Sequence, residues 1–306
     1  MSSGVCCLVV LGCSSPPPAT SPDPPAGSEA ASTNPGAETA PEGNEPTSIE
    51  SVQKLLARGS LEARLDLAAK GLGPELGRVL ADSAAVKELA ALDVSDNDLG
   101  ESGVTALAQS GHFAALKELD LGGNDMGDAG ATALASSTGF DVLSELNLSG
   151  NSIGASGAEK LSASALLDRM LSLDLSMNPV SDRGAKALAT SKHAGSLESL
   201  YLLGCELGAA GATALAQSSK LSSLRVLALS GNAIGDAGAK ALATGRIARG
   251  LTTLDLSANG IGDAGAKALA QSTKLSSLRS LEMFGNEFGD AGRAALQKRF
   301  GSALKL

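Results

Sequence analysis

Between residues 62 and 304 the chain repeats one phrase nine times at an interval of 27 residues, without insertion or deletion. The registering residue is Lys70, Asn97, Asn124, Asn151, Asn178, Cys205, Asn232, Asn259 and Asn286 in turn, and the phrase around it reads LxxLxLxxNxL. Leu116, Leu119, Leu121, Asn124 and Met126 make one copy; Leu251, Leu254, Leu256, Asn259 and Ile261 make another. A fixed period of this length specifies a solenoid. One unit is too small to bury its own apolar edge and must do so against its neighbours.

Within the unit, Leu-x-Leu alternation such as Leu173-Asp174-Leu175 predicts a short strand with one face in the core. The second half reads GDAGAKALA, as in Gly235 to Ala243, and its Ala and Leu recur at helical spacing. Asp236 and Asp263 stand where a helix N-cap residue accepts backbone N–H groups. One strand and one helix per unit predict an α/β solenoid in the shape of a horseshoe, with a parallel sheet on its concave face and helices outside.

Two columns of the repeat have structural work to do. The amide of Asn97, Asn124, Asn151, Asn178, Asn232, Asn259 and Asn286 can donate and accept where the chain leaves each strand. The column is therefore expected to satisfy the turn's buried backbone groups, with Cys205 as a small substitute. Gly recurs at one helical position in eight of the nine units, from Gly103 to Gly292. Gly is unfavourable in a helix, so its recurrence implies close packing of each helix start.

The phrase LxxLxLxxNxLGDxGAxALA resembles the ribonuclease-inhibitor class of leucine-rich repeats over Glu62 to Leu304. The resemblance implies a curved horseshoe that binds proteins in its concavity; some members stimulate GTPases. The uniform 27-residue unit differs from the alternating longer units of the inhibitor itself.

The ends follow other rules. Val5 to Cys13 is an apolar run too short to span a bilayer, with the length of a signal-peptide core. Its Val10-Leu11-Gly12-Cys13 resembles a bacterial lipobox, which would make Cys13 the lipid attachment point of segment 1–13, although no Lys or Arg precedes the run. Residues 14–48 are rich in Pro, Ser and Ala, hold five acids and no base, and read as a disordered tether. Thr47-Ser48-Ile49-Glu50 fits a capping box opening a helix over 49–61 that covers the first repeat. At the other end Leu296, Phe300 and Leu304 are expected on one face of a last helix, among Lys298, Arg299 and Lys305.

Composition leaves little room for chemistry. His112 and His193 occupy the same repeat position three units apart, which keeps them from sharing a site, and no CxxC pair offers a zinc site. No cofactor, metal or catalytic residue is expected. Outside the tether 28 acids face 24 Lys and Arg, so nucleic acid is not an expected partner.

Specificity is expected on the concave face. There the outward strand position holds Asp66, Asp93, Asp120, Asn147, Asp174, Tyr201, Ala228, Asp255 and Glu282. Like charges about 4.8 Å apart repel, which suggests a cationic partner; copying of one ancestral repeat would multiply the Asp equally well. Tyr201, Leu203, Val226 and Met177 interrupt the acids with an apolar patch, and Phe284 adds an aromatic in the last unit. Lys186, Lys240 and Lys267 share a solvated convex position.

The expected protein is a monomeric, non-catalytic scaffold. It is lipid-anchored at the cell envelope, touches the membrane only through the anchor, and binds a protein with a basic surface. The alternative is a cytosolic regulator related to GTPase-activating scaffolds.

Overall fold

The computed structural model describes residues 46–59 and 61–306; the expected leader, Cys13 and nearly all of the acidic tether lie outside them. The central Leu of each strand phrase turns inward and its two neighbours turn outward. The phrases form strands β1 Arg64–Asp66, β2 Ala91–Asp93, β3 Glu118–Asp120, β4 Glu145–Asn147, β5 Ser172–Asp174, β6 Ser199–Tyr201, β7 Val226–Ala228, β8 Thr253–Asp255 and β9 Ser280–Glu282. A tenth strand, β10 Leu304–Lys305, follows. All run parallel in sequence order, and equivalent residues face each other, as in Leu65 against Leu92 and Leu254 against Leu281.

The outer layer holds helices α1 Ile49–Ala57, α2 Pro74–Ala81, α3 Gly100–Gln109, α4 Gly127–Ala135, α5 Ala155–Ala163, α6 Ser181–Thr190, α7 Ala209–Gln217, α8 Gly235–Thr244, α9 Asp263–Ala270 and α10 Asp290–Phe300. Strands stack about 4.8 Å apart whereas helices are about 10 Å thick, so a stack of both must arc with the sheet inside. Between the layers each unit buries the same set. In the eighth, Leu251, Leu254, Leu256, Ile261 and Leu269 are fully buried, each stabilising by roughly 1.5–3 kcal/mol. No helix among the described residues is long and apolar enough to cross a membrane.

The Asn column runs as a ladder through this core. Asn151 Nδ2 donates to the carbonyls of Leu121 (2.8 Å), Leu148 (3.1 Å) and Ser149 (3.0 Å). Its Oδ1 accepts the N–H groups of Asn124 (3.1 Å) and Met126 (3.4 Å) in the previous unit. Cys205 keeps half of this function: its thiol donates to the Leu175 carbonyl at 3.1 Å but offers no amide oxygen backward. Burial pushes that thiol up to about 12, which keeps the proton it donates. The unit behind adjusts locally: Val180 N–H, one of the two groups that an Asn at 205 would accept, turns to the Asn178 carbonyl at 2.7 Å.

The Asp of the GDAG phrase corrects an expectation. Asp236 caps the next unit's helix, not its own: its Oδ1 accepts the N–H groups of Gly262 and Gly265, both at 2.8 Å. Asp128, Asp182 and Asp263 serve the following helix in the same way. The link also sets the turn. Where an Asp precedes, the first turn residue is extended, as Gly154 (φ −84), Gly208 (φ −98) and Gly262 (φ −91) are. Where the preceding unit has Ala155 or Ala209, the corresponding Ser181 (φ 60) and Gly235 (φ 56) are left-handed. Their N–H groups bond forward to the carbonyls of Cys205 and Asn259. The N–H needs an acceptor in one direction or the other, and the presence of the carboxylate decides which. The same contact contributes to the helical Gly where an Asp precedes: a Cβ on Gly265 would stand 2.7 Å from Asp236 Oδ1 and 2.7 Å from Ile261 Cγ2, whereas at Gly238 the crowding comes from Ile234 and Ala212.

A second seam at the opposite helix ends was not foreseen. Ser110, Ser164, Ser191, Ser218 and Ser272 each donate Oγ–H to a carbonyl 29 residues back. Each also accepts the N–H two residues on, as Ser218 does from Lys220 at 3.0 Å.

The ends of the stack differ in one respect from expectation. Ser48 caps α1 by accepting Ser51 N–H at 3.2 Å, and Val52 and Leu56 bury against the first unit. At the other end the helix stops at Phe300, Gly301 takes φ 54, and the chain turns back. Leu304 is therefore on β10 rather than on the last helix face. There Lys305 Nζ meets Glu282 Oε1 at 2.6 Å, covering the free edge of β9.

Candidate binding surface

The first and third residues of every strand point to the concave side, because side chains alternate across a sheet. In the third position the acids have a local duty. Asp93, Asp120, Asp174 and Asp255 each fold one oxygen back onto the N–H two residues on, at 2.7–3.0 Å, closing the turn that ends the strand. Asn147 does the same to Ser149 at 2.9 Å. That role explains the column's recurrence, and it uses only one carboxylate oxygen of each acid.

The first strand position supplies acids that the sequence reading overlooked. Glu118 and Glu145 stand beside each other on β3 and β4 and face the same side as the Asp column. With Asp93, Asp120, Asp174 and Tyr201 they line a groove of about 240 Å³ across β2 to β6. One cation enters it: Arg64 Nη1 reaches Glu118 Oε2 at 3.2 Å. The signal for Glu118 and Glu145 was the period of two itself, which places positions one and three of a strand on one face.

Asp120 sits at the centre. Its Oδ2 accepts Asn147 Nδ2 at 2.9 Å, while desolvation by burial raises its carboxyl pKa, assisted by Asp93 and Asp174. The hydrogen bonds from Gly122 and Asn147 work against this rise without cancelling it. A carboxyl with a raised folded pKa costs stability above that pKa and nothing below the ordinary value, where both states are protonated. Asn147 shows that an amide fits this column. Asp120→Asn is therefore expected to raise stability at pH 7, with the gain shrinking to nothing as pH falls through the carboxylate range; urea melts across pH check it. A gain that is independent of pH would contradict the electrostatic cause.

The apolar residues divide. Tyr201 closes one end of the acidic groove. Met177 is 69% exposed, lies against Gly204 and lines a neighbouring groove with Asp120, Asn147 and Ser149. Its N–H donates to the Leu203 carbonyl, which holds Leu203 beside it on the strand-exit rim. Val226 is half-buried on β7, opposite Ser199. Asp255, Glu282 and Phe284 line neither groove: Ala228 separates them from the acidic cluster, and Glu282 is engaged by Lys305. Phe284 stands 47% exposed by itself.

The histidines sit at the helix-end rim, where His193 Nδ1 meets Asp168 Oδ1 at 2.8 Å. Among the described residues no group of three or more His, Cys, Asp or Glu is arranged to hold a metal ion.

Comparison with known proteins agrees with the repeat. A family model described as Leucine Rich repeat matches residues 89–108, 115–135, 142–162, 170–189, 220–243, 250–270 and 274–296. The chain is a leucine-rich-repeat protein. Tyr201, Leu203 and Cys205 fall between two of the matched stretches, 170–189 and 220–243. Among solved structures, a leucine-rich-repeat protein of Leptospira interrogans matches at 20% identity and a TM-score of 0.48, covering 84% of this chain and 57% of that one. The TLR13–ssRNA13 complex matches at 20% identity and a TM-score of 0.49, covering 84% of this chain and 33% of that one. The chain thus spans little more than half of the first structure's length and a third of the second's. No curated protein sequence matches it.

Proposed function

We propose that this protein is a non-catalytic scaffold that holds a protein with a basic surface against the acidic groove of β2 to β6. The observation that carries the reading is the convergence of Glu118, Glu145, Asp93, Asp120 and Asp174 beside Tyr201, around one Arg64. Carboxylates kept close together, with Asp93, Asp120 and Asp174 half-buried and at a cost to Asp120, gain most from a Lys or Arg that arrives from outside. Tyr201 supplies the rigid, amphipathic contact typical of an interface centre. Leu203 and Met177 extend that contact at the strand-exit rim, with Val226 alongside on β7. Asp255, Glu282 and Phe284 belong to the same inner face and would meet only a partner long enough to pass Ala228.

The LxxLxLxxNxLGDxGAxALA phrase favours the ribonuclease-inhibitor-like subclass, from which the uniform 27-residue unit departs, and covered ends on both sides of the stack favour a monomer. Lipid attachment at Cys13, with the acidic tether behind it, would place the scaffold at a cell envelope. Intact mass and membrane fractionation of the full chain, beside Cys13→Ser, test that placement: a lipid-modified chain starting at Cys13 and lost in the variant is expected.

The groove is tested by capture from cell extract with the wild type, Glu118→Lys/Glu145→Lys and a convex-face control, Lys240→Glu/Lys267→Glu. A salt-sensitive protein retained by the control and lost by the groove variant is the expected result. A captured set that is identical for all three removes the acidic groove from the proposal.

A further inference from the structure

In a protein built from copies, residues that depart from the repeat carry more information than those that follow it. At the helix-end rim one unit departs in a basic direction at two neighbouring positions. The columns that hold Arg246 and Arg249 hold Ser219 and Ser222 in the unit before and Thr273 and Ser276 in the unit after; Lys192 and Lys87 place a single base in one or the other column, in different units. The two arginines stand together in this unit alone. They are part of a wider change of sign along the solenoid: three Lys and Arg face twelve acids over 89–169, whereas eleven face six over 224–306.

Arg246 and Arg249 are exposed and line a groove of about 520 Å³ with Lys274, Ser219 and Ser222, and no carboxylate is part of its wall. Among the described residues neither guanidinium is paired with an acid. The end of α8 attracts cations through its dipole, but that favours one such residue by a few tenths of a kcal/mol to about 1 kcal/mol and does not require two arginines and a lysine around one hollow.

We propose that this groove is a second binding site, independent of the concave face, for a phosphate ester carried on a polyol or lipid headgroup. Two planar guanidinium forks match tetrahedral oxyanions, the Lys274 ammonium, which donates to the Thr244 carbonyl, adds a third positive charge with N–H groups to spare, and the Ser219 and Ser222 hydroxyls can serve the hydroxyls of a carrier. The volume exceeds a bare phosphate and falls in the range of small-molecule sites.

Soluble and lipid sources share this chemistry and are separated by two probes measured on the full chain. These are inositol hexakisphosphate, by calorimetric titration, and vesicles of phosphatidylcholine with and without phosphatidylglycerol, by flotation. The variants are Arg246→Glu/Arg249→Glu in the groove and Lys240→Glu/Lys267→Glu on the convex helices, which make the same change in net charge. Thermal melts of both establish that they fold. Saturable binding of at least one probe is expected, weakened at least about tenfold by the groove variant and no more than about twofold by the control. Loss on vesicles identifies a lipid headgroup, and loss confined to the soluble probe identifies a soluble phosphate ester. Binding of neither probe, equal loss in both variants, or equally tight binding of hexaglutamate would overturn the proposal.

Discussion

Asn151→Ala should lower the unfolding free energy by about 4 kcal/mol, near the top of the range for a single substitution. The residue is fully buried, and its amide satisfies three carbonyls and two N–H groups drawn from two units. Each buried backbone group left without a partner costs roughly 1–3 kcal/mol, reduced where a water can enter the space that alanine vacates. Asn286, half-buried at the last full turn, serves fewer groups, so Asn286→Ala should cost about half as much. Position adds a second effect. In a solenoid each unit is stabilised by its neighbours, so a break in the middle uncouples two halves that a break at the end leaves joined. Urea unfolding of Asn151→Ala should therefore show a smaller slope as well as a lower midpoint, while Asn286→Ala keeps the wild-type slope. Equal losses with unchanged slopes would mean that the ladder does not transmit cooperativity.

The second large effect concerns Gly265. Adding one methyl should destabilise the protein by about 3 kcal/mol, because neither obstacle is the free end of a flexible chain. Asp236 Oδ1 is fixed by two hydrogen bonds, and Ile261 is held in the core. Asp236→Ala should cost about 2 kcal/mol, since Gly265 N–H loses its acceptor while Gly262 can swing to the left-handed turn already used at Gly235. The double variant should cost at least 1 kcal/mol less than the sum, because removing the carboxylate opens part of the space the methyl needs. Thermal or urea melts of the four-member cycle measure this coupling directly. Strict additivity would show that Ile261 alone accounts for the Gly requirement.

Much of this was legible in the chain itself. The 27-residue period fixed the number of units between Glu62 and Leu304, and the Leu-x-Leu alternation fixed which side of each strand is buried. The Asn column announced its role because an amide in a buried turn has few other uses. What escaped the sequence reading lies between units. A strict period shows which residues are equivalent, but not how far a helix is offset from the unit behind it. The sequence therefore placed Asp236 correctly at a helix start and assigned it to the wrong helix. The Ser ladder escaped for the same reason, since its partner carbonyls are 29 residues away and belong to the backbone, which has no signature in a sequence. Glu118 and Glu145 escaped because attention to the Asp column hid the other outward position of the same strands.

The sequence by itself determined the repeating unit, its buried face and the parallel stacking, because a 27-residue unit has no other way to remove its leucines from water. The tertiary structure decided which charges meet. Side chains separated by whole multiples of the repeat come within contact distance only after strands about 4.8 Å apart and thicker helices have settled their common curvature. That packing gathered five carboxylates around Arg64 and Tyr201 in one groove. It left Asp255 and Glu282 outside that groove, and it brought Arg246, Arg249 and Lys274 together on the rim.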